Sequence, residues 1–123
     1  KRGAGFTLIE ILVVMSIIAL LLALAVPRYF RSVTRAHEAV LKENLALIRD
    51  ALDKHYADTG KYPGTLGELV SKRYLRKLPD DPITGSGGTW VIAPPDRPEK
   101  GGVYDVKSGA AGNSLSGVPY NQW

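Results

Sequence analysis

At 123 residues, with a formal net charge of +4 and no cysteine, the chain has room for one domain and excludes a disulfide framework, a thiolate metal site and a cysteine nucleophile. Its basic residues are scattered apart from one tight cluster, Lys72, Arg73, Arg76 and Lys77, which reads as a solvated face, so no nucleic-acid partner is expected. Because the first quarter is almost purely apolar, about 95 residues remain to fold in water, enough for one modest core supported by packing, a bound ion or neighbours in an assembly.

From Phe6 to Val26 the sequence is FTLIEILVVMSIIALLLALAV, whose polar residues are Thr7, Glu10 and Ser16. As a helix this segment is about 31 Å long, which matches a hydrocarbon core of about 30 Å. Lys1 and Arg2 precede it, and the positive-inside rule then puts the N-terminus in the cytoplasm and everything after Pro27 on the far side. A cleaved secretory signal has the same basic start and apolar run, but it ends in small residues at its cleavage site. Here the run passes through Ala25, Val26 and Pro27 into Arg28-Tyr29-Phe30-Arg31 with helical periodicity continuing. Glu10 stands in this apolar start as a lone carboxylate. An unpaired charge in lipid costs about 2.5–3.5 kcal/mol on insertion scales, and with no basic residue within a turn or two, its partner is expected from another chain.

Beyond Pro27, apolar residues recur at spacings of three, four and seven (Val33, Val40, Leu41, Leu45, Ile48, Leu52, Tyr56), the pattern of an amphipathic helix. Arg35, Glu38, Lys42, Glu43, Arg49, Asp50, Asp53 and Lys54 are assigned to the opposite face. One helix of about 50 residues is implied, bent or loosened at Pro27 and stopped at Gly60. His37 and His55 fall on one face but about 27 Å apart, too far to share an ion, and read as surface or interface histidines.

Lys61-Tyr62-Pro63-Gly64 predicts a turn, and Thr65-Leu66-Gly67-Glu68 has capping-box spacing for a short helix through about Ser71. Pro79-Asp80-Asp81-Pro82 predicts a packed connector. Thr89–Ala93 and Val103–Val106 are the predicted strands, separated by Pro94-Pro95 and a Gly101-Gly102 turn, with a third short strand allowed near the C-terminus.

Gly5-Phe6-Thr7-Leu8-Ile9-Glu10 before a long apolar run resembles the leader junction of type IV pilins and of the pseudopilins of type II secretion. The resemblance implies cleavage by a prepilin peptidase between Gly5 and Phe6 and methylation of the new Phe6 amine. It also implies pairing of that amine with Glu10 of a neighbouring subunit, and places Pro27 at the family's helix proline. Tyr62-Pro63, Leu78-Pro79-Asp80-Asp81-Pro82 and the closing Asn121-Gln122-Trp123 are similar to the major pseudopilin group in particular. That group implies calcium in an acidic loop near the C-terminus, yet residues 109–123 hold no Asp or Glu, so the usual acidic loop is absent and Asp105 is the nearest metal candidate.

The expected architecture is α+β, a pilin fold in which one long N-terminal helix packs on a small domain with a short helix and a small antiparallel sheet. Residues 1–5 are a partial leader, 6–27 a transmembrane and filament-core helix, and 28–123 a periplasmic or extracellular globular domain that includes the end of the long helix. The expected function is that of a structural subunit of a helical filament, the secretion pseudopilus, with a type IV pilus subunit and a single-helix-tethered periplasmic binding domain as alternatives. No G-x-S-x-G, H-E-x-x-H or phosphate loop is present, so no enzyme is expected. The resemblance implies as partners further copies of the chain, the inner membrane of a Gram-negative bacterium, the prepilin peptidase, an assembly ATPase with its polytopic platform protein, and minor pseudopilins.

Overall fold

The computed structural model describes residues 5–123, so Lys1 and Arg2 of the leader lie outside the described residues. Helix α1 spans Leu8–Thr59 and continues unbroken through Pro27. Proline brings no N–H, so the Ala23 carbonyl loses its helical donor, which is the local loosening expected of that position. The tertiary contacts divide the chain after Thr34 into an N-terminal unit and a unit of residues 35–123.

In the N-terminal unit, every residue from Gly5 to Ser32 is exposed. Two of its hydroxyls are turned back on the helix: Ser16 Oγ donates to the Leu12 carbonyl (2.8 Å) and Thr34 Oγ1 to that of Phe30 (3.0 Å). Such back-bonding removes the need for water at those groups.

In the unit of residues 35–123, the buried stripe of α1 is Leu41, Leu45, Ile48, Ala51, Leu52 and His55. It packs with Leu66, Leu69, Leu75, Trp90, Val103, Val106, Ala110 and Tyr120 into one core. Two residues expected on the apolar face lie at its margins, since Val40 is 44% and Tyr56 37% exposed. At 100° per residue Val40 stands about 100° and Tyr56 about 60° away from Leu41, beyond and at the edge of the stripe. Tyr56 instead stacks on Tyr62, with ring centroids 4.5 Å apart.

His55 corrects the surface assignment: it is 3% exposed, because it follows Ile48 by seven residues and Leu52 by three and so falls on the buried stripe. Its Nδ1 lies 2.6 Å from the Lys61 carbonyl. A carbonyl only accepts, so Nδ1 carries the proton, and Nε2 is left without a hydrogen-bond partner, 3.9 Å from Glu68 Oε2. His37 is exposed, as expected.

Gly60 stops α1 with φ of 76° and donates to the Tyr56 carbonyl. Helix α2 covers Leu66–Ser71, but the predicted capping box has slipped by one residue: Thr65 caps nothing with its side chain, and Glu68 Oε2 accepts from Gly64 N at 3.1 Å. At its other end Arg73 adopts φ of 66°, while Arg73 N donates to the Val70 carbonyl and Tyr74 N to that of Leu69. This paired closure is the one usually built on glycine, here carried by an arginine.

Strands β1 (Val91–Ala93) and β2 (Asp105–Lys107) form a two-stranded antiparallel sheet with Ile92 opposite Val106. The second strand starts two residues later than predicted because the Gly102 and Val103 amides donate to the Pro63 carbonyl. The backbone approach there is so close that a Cβ on Gly101 would meet the Tyr62 carbonyl and one on Gly102 that of Gly64. Near the C-terminus a single Asn113–Pro119 bridge and a 3-10 turn at Tyr120–Gln122 take the place of the third strand.

Asp81, expected only as part of a connector, is fully buried. Its Oδ1 accepts from Ile83 N (2.8 Å) and Thr84 N (3.4 Å), and its Oδ2 from the Ser108 hydroxyl. Trp90 Nε1 closes the same region by donating to the Pro79 carbonyl at 2.8 Å.

Candidate assembly interface

The N-terminal unit presents apolar side chains on all sides, among them Phe6 (79% exposed), Leu8 (86%) and Leu12 (64%). A helix in water keeps such residues on one buried stripe, so this one is built for surroundings that are apolar all round, lipid or other helices. It is long and apolar enough to cross a membrane.

Its start is set by Thr7, whose Oγ1 accepts from Glu10 N at 3.2 Å while Thr7 N donates to Glu10 Oε2 at 3.3 Å. Thr7-Leu8-Ile9-Glu10 is therefore a reciprocal capping box, which also puts the Glu10 charge at the positive end of the helix dipole. The cap supplies an N–H and no cation, and among the described residues no basic side chain lies within 4 Å of Glu10. Phe6, Glu10 and Val14, spaced at four residues, share one surface hollow. A carboxylate with a neutral cap on a wholly apolar surface is thus available to a cation brought by a second molecule. The Gly5–Phe6 junction lies just before the helix, in non-helical backbone. Past Pro27, Tyr29 and Phe30 meet edge to face at 5.8 Å, an aromatic pair at the end of the apolar run.

Asp105, the metal candidate, proves to be an ion-pair partner: its Oδ1 accepts from Arg49 Nε at 2.8 Å and from Val106 N at 2.8 Å. The loop of residues 109–123 closes on itself through Ser114, whose hydroxyl accepts from Val118 N and bonds the Ser116 hydroxyl, and whose backbone pairs with Val118 and Gly117. The carboxylate that reaches this loop is Glu38 of α1, with Oε1 accepting from Leu115 N (2.8 Å) and Tyr120 Oη (2.9 Å). No group of three metal-ligating side chains occurs among the described residues. Calcium needs six to eight oxygens, several of them carboxylates, and this donor set does not fit it.

Burial, and then the hydrogen bond to Glu38, raise the Tyr120 phenol above its ordinary value of 10; for Tyr74 the bond to Asp58 does most of this. A raised phenol contributes stability that is fully present below pH 10 and lost as pH climbs through the folded-state value. Denaturation midpoints are expected to hold steady up to about pH 10 and to fall above it, with Tyr120→Phe showing a smaller fall than wild type. Equal falls in the two proteins would contradict the assignment.

Comparison with known proteins agrees in both halves of the chain. The model of the prokaryotic N-terminal methylation motif matches residues 1–26. Type II secretion system core protein G of Dickeya chrysanthemi is 31% identical over 120 residues, covering 85% of this chain and 76% of that protein. Its counterpart in Pseudomonas aeruginosa is 38% identical over 98 residues, covering 67% and 69% respectively. The Escherichia coli K12 protein is 31% identical over 123 residues, covering 87% and 81%. No solved structure matches the chain at comparable significance.

Proposed function

Because the chain belongs to the family of type II secretion system core protein G, the major pseudopilins, we infer that it is a structural subunit of a secretion pseudopilus, and that Phe6–Val26 is the part that polymerises. The observation that carries this reading is a helix apolar on every side whose one carboxylate is capped yet, among the described residues, lacks a cation. A simple membrane anchor gains nothing from such a residue, whereas a polymer can use it to set register between subunits.

The apolar helix holds subunits in the inner membrane, with the domain of residues 35–123 on the periplasmic side. Removal of the leader after Gly5 exposes the Phe6 amine, which is then methylated and remains a cation. In the growing filament that amine meets Glu10 of a subunit already in place, and helix-to-helix packing replaces helix-to-lipid packing at little net cost, since both surroundings are apolar. The prepilin peptidase carries out the processing. An assembly ATPase with its platform protein supplies the work of extraction, and minor pseudopilins start the filament whose growth helps move folded proteins across the outer membrane.

Co-expression with the cognate prepilin peptidase tests the first step. Intact mass is expected to show loss of the segment ending at Gly5 together with gain of one methyl group on Phe6. A chain that stays uncut, or is cut after the apolar run, would overturn the reading.

A further inference from the structure

We propose that a charged stripe on α1 locks the C-terminal loop in this subunit without a metal ion, so that its folding and its assembly are independent of calcium. The proposal rests on the pseudopilin reading above, which supplies the expectation of calcium, and on geometry that departs from it.

Periodicity assigns Glu38, Lys42 and Arg49 to the solvent face of α1. At 100° per residue they fall within an arc of about 40°, on the flank of the buried stripe and beside Leu45 and Leu52. Each reaches the last part of the chain. Glu38 Oε1 accepts from Leu115 N and Tyr120 Oη, 77 and 82 residues on. Arg49 Nη2 donates to the Val106 (2.9 Å) and Trp123 (2.7 Å) carbonyls while its Nε holds Asp105. Lys42 Nζ stands 5.1 Å above the Trp123 ring, a cation over an aromatic face.

A loop without regular structure leaves backbone N–H and C=O groups that need partners. Of these a calcium ion can serve only the carbonyls, by drawing oxygens inward, and it binds more tightly the more carboxylates surround it. Here the helix serves both kinds of group. Glu38, an acceptor, takes a loop N–H and a phenol; Arg49, a donor, takes the Trp123 carbonyl together with that of Val106 in β2. Ser114 and Ser116 supply the short cross-links inside the loop. With Leu115 N, Tyr120 Oη and the Trp123 carbonyl held from the helix and no carboxylate in residues 109–123, the loop is fastened without calcium and offers it no charged ligand of its own.

The test is thermal unfolding of the full chain in detergent micelles, in excess chelator and in 10 mM calcium chloride, for wild type, Glu38→Gln and Glu38→Ala. A site with a dissociation constant of about 1 mM would raise the midpoint by roughly 5–10 °C at that concentration. The lock predicts that wild type moves by no more than about 1 °C. Glu38→Ala is expected to melt about 10 °C lower, since two donors lose a charged acceptor, and Glu38→Gln about half as far, since an amide oxygen still accepts. Calcium is expected to rescue neither variant. Should Glu38→Ala fail to fold, Glu38→Gln and the wild-type titration decide. A calcium-induced rise of several degrees in wild type, or an unchanged midpoint in both variants, would overturn the lock. The subunit reading fails separately, on absence of filaments from a wild-type chain whose midpoint ignores calcium.

Discussion

Glu10→Gln is expected to abolish filament formation while leaving cleavage, membrane insertion and the start of α1 intact. Glutamine serves as well as glutamate in a capping box, so the exchange with Thr7 survives and only the charge is lost. If Glu10 acts through its charge, the incoming Phe6 amine then enters an apolar core unpaired. Breaking a buried pair by removing one partner costs about 3–5 kcal/mol, and in a polymer that loss recurs at every subunit. Thr7→Ala is the complementary change: it removes the cap, at about 1 kcal/mol, and keeps the carboxylate, so filaments are expected to persist. Electron microscopy of the two variants beside wild type separates the roles. Filaments from Glu10→Gln but none from Thr7→Ala would show that the motif matters only as a helix cap.

Asp81→Ala is expected to be the most damaging single change in the domain of residues 35–123, costing about 3–5 kcal/mol. The carboxylate is fully buried and joins two stretches of chain, the turn at Ile83–Thr84 and Ser108 just after β2. Removing it strands two half-buried amides and the fully buried Ser108 hydroxyl, which itself accepts from Ala110 N. For a domain of this size the midpoint should fall by about 15 °C or more, which for a marginal domain means loss of folding at growth temperature. Asp81→Asn keeps Oδ1 for the two amides and exchanges Oδ2 for a donor facing a donor, so it should lose roughly half as much. Thermal melts of both variants check the order. An Asp81→Ala midpoint within a few degrees of wild type would mean that the core alone holds this region.

Features carried by local chemistry were readable from the sequence: the apolar run, the stop of α1 at Gly60, the span of α2, and the two strands to within two residues. The same local reading missed the capping box at Thr7, although Thr-x-x-Glu is the pattern it used at Thr65, where Gly64 takes the glutamate instead. The Schellman closure at Arg73 carries no glycine to announce it. What could not be read was long-range. Glu38, Arg49 and Asp81 sit at positions where a charge usually faces water, and nothing near them names Leu115, Val106 or Ser108 as partners. His55 lies on the stripe because it follows Ile48 by seven residues, a spacing that its separation from His37 says nothing about.

Electron cryo-microscopy of the material made when the chain is expressed with its peptidase and assembly machinery tests the central claim most directly. The account predicts helical filaments whose axis is packed by Phe6–Val26, with each Glu10 beside the Phe6 amine of a neighbour. A processed chain that stays monomeric in the membrane while secretion proceeds would contradict it.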